Sequence, residues 1–293
     1  MGVDIFRKTS GVVLPKEVSQ DIWGKTLKES AIMAATRHIQ LPGPGITIPT
    51  ITGDVEAKWV NETDKKPVSR PTFGAKDITP YKLAVIVPFS DEFARDANAL
   101  YNECARRLPN ALSTAFDKTV MGAVGKPGDN FDTLADAPKV PVKSASAYAD
   151  MVKAYSGVAA NDAKVSAWLG TPAFQALLMG ATDTSGRPLF VPSATDVGEI
   201  GRFFGRPIYD LPNGQVGILG IAGDFENAAV FGTVEGVKVD IAREASLTDT
   251  DGTQINLWER NMFALRAEIE VGFRVRDLGA FVQLTTGTTT TGR

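Results

Sequence analysis

The chain has 293 residues, 43% of them hydrophobic and 22% charged, with a net charge of −3. This is the composition of an ordinary globular protein of one large or two ordinary domains. Its charge sum carries no signal for nucleic acid, although it leaves room for a local basic face. A single cysteine, Cys104, excludes an intrachain disulfide, and a single histidine, His38, without Cys or His companions leaves metal-cluster and triad chemistry poorly supplied, so both read as structural residues.

The first ten residues, MGVDIFRKTS, lack the apolar stretch of a signal peptide. No apolar run reaches the eighteen or so residues that span a bilayer, so neither secretion by a signal peptide nor membrane spanning is expected. A short amphipathic helix is predicted from about Pro15 to Ser30, with Pro15 at a first helical position, Glu17 in the first turn, and Ile22, Trp23 and Leu27 on one face. It packs either on another molecule or on the local core. Ile46, Ile48 and Ile51 beside Gly and Pro read as short strands.

From Asp54 to Asp77 the chain is polar, rich in turn residues and short of large aliphatics, the profile of a functional or disordered loop. Val55, Ala57 and Trp59 alternate with polar residues, and Tyr81, Leu83, Val85 and Val87 do so again. The two runs predict the strands of one long hairpin that buries little in its own subunit. Such a surface needs a neighbour, which points to an assembly.

Ser90 to Gly122 is the longest stretch of helical period, with apolar or small residues at Phe93, Ala97, Leu100, Tyr101, Cys104, Leu108, Ala111, Leu112, Ala115 and Phe116. It predicts one helix of roughly 45 Å, capped by Ser90, stopped at Gly122 and kinked or broken at Pro109. Residues 125–146 read as a Gly/Pro/Asp-rich connector and a domain boundary. Beyond it, a helix at 148–158, a strand from Val165 to Leu169, a helix capped by Thr171 with Pro172 next, and several short strands make a mixed α/β region. Near the end, Ala267, Ile269 and Val271 alternate with Glu268 and Glu270 in a strong strand signal, and the Thr-rich tail reads as disordered.

Catalytic motifs are missing: the chain has no P-loop, HExxH, CxxC pair or nucleophile elbow. Asp249 and Asp251 faintly suggest a calcium loop, but without its terminal glutamate they read as a solvated turn.

Several segments, in this order, resemble the major capsid proteins of tailed bacteriophages with the HK97 fold: LPKEVSQDIW (14–23), AKWVNETDKKPVSRPTF (57–73), YKLAVIVPFSDEFARDA (81–97), FDKTVMGAVG (116–125), AWLGTPAFQALLMGATDTSGRPLF (167–190), FFGRPIYDLP (203–212), IAGDFENAAVFGTVEGVKVDIAREAS (221–246) and NLWERNMFALRAEIEVGFRVRD (256–277). The resemblance implies an α+β subunit with an N-terminal arm (1–42), a peripheral domain with a long spine helix (43–51 and 89–144), an extended β-hairpin loop (52–88), an axial domain (145–235), a return to the peripheral domain (236–285) and a disordered tail (286–293).

The function it implies is a structural subunit, not an enzyme and without cofactor or metal. It would self-assemble into hexamers and pentamers of an icosahedral head around double-stranded DNA, built in the host bacterial cytoplasm, with no membrane partner. A scaffolding protein, a portal and a decoration protein are possible further partners. The long scaffolding extension of some relatives is absent from the sequence, which implies either a separate scaffold or a mature form.

Inter-subunit contact is expected from the loop residues Trp59, Glu62, Lys65, Lys66, Arg70 and Phe73, with the aromatics as the stronger anchors. Inner-face DNA contact is expected from Lys16, Lys25, Lys28, Arg106 and Arg107, with ordinary solvated helix positions as the alternative. Some relatives cross-link a loop lysine to an asparagine; here Lys58, Lys65, Lys66 and Lys76 would face Asn256 and Asn261, with solvated-loop roles the more expected. Two other readings stand beside this one. An encapsulin-like compartment shell would need a pocket for a cargo tail, and a cytosolic α/β enzyme would need a carboxylate site that leaves little trace in sequence.

Overall fold

The computed structural model describes residues 16–51, 59–62, 66, 68, 73–92, 97–181, 190, 199–211, 217–249 and 251–287. Two sheets carry the fold, and the longest strand, β14 (Met262–Val275), organises the first. Its odd-numbered residues from Phe263 to Val275 are apolar and most are fully buried, while Glu268 and Glu270 take the other face, where Lys82 pairs with both at 2.9 and 3.4 Å. This is the alternation of a strand covered on one side.

Along one edge of β14 runs β4 (Tyr81–Ser90), antiparallel, from Met262 opposite Ser90 to Val271 opposite Tyr81. Along the other edge lie β11 (Lys238–Ala242) and β10 (Ala229–Thr233), and β1 (Arg37–Gln40) extends the sheet parallel to β10. Beyond β11, β12 (Ser246–Thr248) and β13 (Gln254–Asn256) form a two-stranded ladder of their own, at whose end the Asp249 amide donates to Thr253 O and the Gly252 amide to Asp249 O.

The buried face is covered by helices α1 (Lys16–Glu29), α2 (Ala31–Ala35) and α3 (Ala97–Val120). Leu108, Leu112, Phe116 and Val120 recur every fourth residue along α3 and join the core, as does Ile22 of α1. From residue 16 onward, then, the predicted N-terminal helix belongs to its own subunit's core.

The spine helix differs from its prediction at two points. It is continuous through Pro109, so the expected break is not found, and its 24 residues span roughly 36 Å at 1.5 Å per residue. Ser90 does not cap it; Ser90 is the last ladder residue of β4, and its hydroxyl accepts from the Glu92 amide in the following turn. The helix stop is as read: Gly122 has φ +79°, its amide donates to Thr119 O, and the Ala123 amide reaches Lys118 O, the paired bonds of a Schellman ending.

The second sheet has the order β5 (Lys139–Val142), β15 (Phe281–Thr286), β9 (Ile218–Gly223), β6 (Ala167–Gly170), β8 (Arg206–Asp210), β7 (Glu199–Phe203). One face packs α4 (Ala147–Ala159) and α5 (Pro172–Met179) around Met151, Val158, Trp168 and Phe174. The other face sends Leu169, Ile221 and Phe281 into the same core as Phe116 and Phe273, so the two sheets share one apolar centre. Thr171 caps α5 by accepting from the Phe174 amide, and Pro172 opens the helix, as the sequence predicts.

Three further expectations are corrected. Residues 125–146 are not a free connector, because Phe131, Leu134 and Ala137 are buried in the shared core. β10 lies in the first sheet although it falls within 145–235, and β15 lies in the second although it falls within 236–285: the chain order interleaves the sheets. Finally, β4 is not the returning strand of the long hairpin. Its alternate residues Leu83, Val85, Val87 and Phe89 pack on the core, and its ladder partner is β14.

Candidate functional site

The strands that do form the base of the hairpin are β2 (Ile46–Ile51) and β3 (Phe73–Ile78), paired from Ile46 opposite Ile78 to Ile51 opposite Phe73. They form a two-stranded sheet separate from the other two. The hairpin leaves the body at Ile78, which is fully buried, and Gly45 makes that exit possible. At φ +89° it lies so close to Ile78 O that an added Cβ would come within 2.3 Å. On the body side, Gly272 of β14 allows a similar approach, since a Cβ there would meet Thr79 O at 2.6 Å.

A polar node then fixes the base. Arg274 of β14 donates from Nε to Asp77 O at 2.6 Å, from one terminal nitrogen to Asp132 Oδ1 at 2.8 Å and from the other to Asn130 Oδ1 at 2.9 Å. Lys76 Nζ donates to Val275 O at 2.6 Å and lies 3.6 Å from Asp132, whose second oxygen accepts from the Val275 amide. One arginine therefore ties together the hairpin, β14 and the loop before β5. Sequence reading missed this node, because residues 76, 132 and 274 are far apart in the chain and each sits in a polar context of its own.

Past the base, the hairpin's large apolar side chains among the described residues have no cover in the subunit. Trp59 is 104% exposed and Val68 81% exposed, and Val60, Glu62 and Lys66 are exposed too. Lys58, Lys65 and Arg70 fall outside the described residues, as does the side chain of Phe73. Lys76, one of the lysines considered for cross-linking, is committed to the polar node instead. Asn256 sits in the β13 ladder and Asn261 in a left-handed turn at φ +50°.

Of the residues expected to face DNA, Lys25 and Lys28 lie on α1 and Arg107 lies on α3, two helices that pack together; Lys28 and Arg107 are exposed. The side chains of Lys16 and Arg106 fall outside the described residues. The joint between α1, α2 and α3 holds a buried carboxylate. Asp117 of α3 accepts from Ser30 Oγ at 2.6 Å and from the Ala31 amide at 3.1 Å, at the start of α2. Complete burial without a counter-charge pushes its carboxyl up to about 7, against the pull of these donors and of the Ile32 amide. The ring of His38 lies against Trp23 and Phe231, Nε2 lies 2.8 Å from Thr233 Oγ1, and partial burial lowers its pKa.

Sequence reading also missed an aromatic cluster on the second sheet. Phe204 occupies the tight β7–β8 turn at φ +51°, a conformation bulky residues rarely adopt, with Phe203, Tyr148 and Tyr155 around it. The adjacent Phe-Phe-Gly was the available signal. Among the described residues, no group of three or more His, Cys, Asp or Glu side chains is placed to hold a metal ion.

The body thus braces a two-stranded arm at its base, and Trp59 of that arm is bare. Comparison with known proteins specifies the class. Residues 10–286 match the phage capsid family. The probable major capsid protein of Mycobacterium phage L5 is 31% identical over 291 residues, covering 93% of this chain and 89% of the relative. Among solved structures, one from Gordonia phage Cozz superposes with a TM-score of 0.68 at 22% identity, covering 88% of this chain and 87% of that one. Another, from Mycobacterium phage Bobi, gives 0.68 at 20% identity, with 89% and 91% covered. The chain belongs to the phage capsid family.

Proposed function

We propose that this chain is the major shell subunit of a phage head, associating with itself into hexamers and pentamers of an icosahedral capsid around double-stranded DNA. The family match across 10–286 carries the reading. The bare hairpin supports it, because a fully exposed Trp59 on a braced arm is surface without a purpose in an isolated subunit.

In this reading Trp59, Glu62, Lys65, Lys66, Arg70 and Phe73 meet a neighbouring copy. Lys16, Lys25, Lys28, Arg106 and Arg107 offer DNA phosphates a weak contact indifferent to sequence. Assembly takes place in the host cytoplasm, with a scaffold, a portal and a decoration protein as further partners, and the subunit itself carries out no catalysis. Negative-stain electron microscopy of the purified chain, alone and after co-expression with its neighbouring genes, tests this. Closed shells or capsomer rings are expected; dispersed monomers under every condition would overturn it.

A further inference from the structure

Where the hairpin leaves the body it forms a cleft of about 450 Å³ against the outer face of the first sheet. Ile39 of β1, Ile46 and Ile48 of β2 and Val230 of β10 give it apolar walls. Four cations line it, Arg37, Lys76, Arg274 and Arg276, against one acid, Glu226. In a chain whose net charge is −3, that local excess is out of proportion.

The four cations are not equivalent. Arg274 and Lys76 are consumed by the node that holds the hairpin base. Arg37 and Arg276 are exposed and have no ion pair among the described residues, so two positive charges stand beside an apolar floor without serving the fold. Arg37, Val230 and Arg274 lie in one row across β1, β10 and β14. Among the described residues the row ends at β1, whose outer edge has no strand beside it in the sheet, and β2 pairs on one side only.

We infer that this cleft receives an extended, acidic segment of a second copy of the chain, with apolar side chains on the floor and carboxylates against Arg37 and Arg276. The open edges of β1 and β2 suit an added strand, whose main-chain bonds give affinity while alternate side chains give register. The charge excess selects acidic over neutral segments. A second copy is the occupant because the cleft is the concave angle between a projecting arm and its own body. That angle faces a molecule seated beside the subunit, and in a shell that molecule is another subunit. The inference rests on the capsid reading and adds to it the chemistry of one contact.

The test uses the full chain co-expressed with its neighbouring genes. Arg37→Glu combined with Arg276→Glu lowers the yield of sedimenting particles about tenfold or more. Lys164→Glu, an exposed charge reversal away from the cleft, leaves the yield at the wild-type level. In parallel, Ile39 is replaced by the photo-cross-linking residue benzoylphenylalanine and assembled particles are irradiated. A covalent dimer joined at an acidic segment of a second copy is expected. Wild-type particle yield from the double reversal, or a cross-link to a different protein or only within one chain, overturns the inference and leaves the capsid reading standing. If the wild-type chain forms no particles at all, the capsid reading itself fails.

Discussion

β3 and β4 are separated by two residues, and both follow the hairpin loop, yet they meet opposite fates. β4 lies along β14 for ten residues and pushes every second side chain into the core. β3 has β2 as its ladder partner among the described residues, and it is held to β14 through the polar node around Arg274 and Lys76. An alternating pattern predicts a strand, but it does not say which molecule covers the strand's apolar face. For β4 the cover is its own chain, whereas Trp59 and Val68 of the arm have none among the described residues.

Four measurements can break or sharpen this contrast. The largest effect is expected on the covered side: Phe273→Ala empties a site packed against Phe116 and Phe131, and should cost about 3–5 kcal/mol in urea unfolding of the subunit. A loss below about 1 kcal/mol would contradict a shared core centred there. At the junction, Arg274→Ala leaves Asp132 without its main partner, a cost of about 2–3 kcal/mol for a mostly buried pair. Hydrogen exchange should quicken across 73–78 while the amides of β4 stay protected; equal acceleration in both would mean that the arm and the sheet are one unit.

The third measurement concerns the helices over the sheet. Asp117 holds its proton more tightly folded than unfolded, about 7 against an ordinary 3.8, so its stability contribution is present below about pH 4 and is lost as pH rises through 7. Asp117→Asn should remove that dependence, with a swing of up to about 4 kcal/mol in the difference between wild type and variant. Parallel stability profiles between pH 4 and 8 would rule it out. The smallest effect on the subunit belongs to the arm. Trp59→Ala should shift unfolding by less than about 0.5 kcal/mol while particle yield drops. Clear destabilisation of the isolated subunit would show that Trp59 has a partner at home.

Much of the fold was legible in sequence because local physics decides it. The three-and-four spacing of α3, the Gly122 stop, the Thr171–Pro172 helix start and the alternation of β14 all survive in the structure. What could not be read was partnership between distant segments. Ser90 had the chemistry of a cap, but the ladder with Met262 claimed it first. Residues 125–146 had the composition of a linker, yet Phe131 and Leu134 were enough to pull them into the core. The exposed tryptophan of the candidate contact surface was predicted, whereas the arginine that braces its arm and the cationic cleft beneath it arise only when β1, β3 and β14 come together.

The place of β15 bears on how such a subunit is made. It lies between β5 and β9, at the interior of the second sheet, yet it follows all the other described strands in the chain. Until residue 286 has emerged from the ribosome, β5 has no ladder partner and β9 is missing one edge. Closing the sheet over so long a separation in sequence makes folding slow.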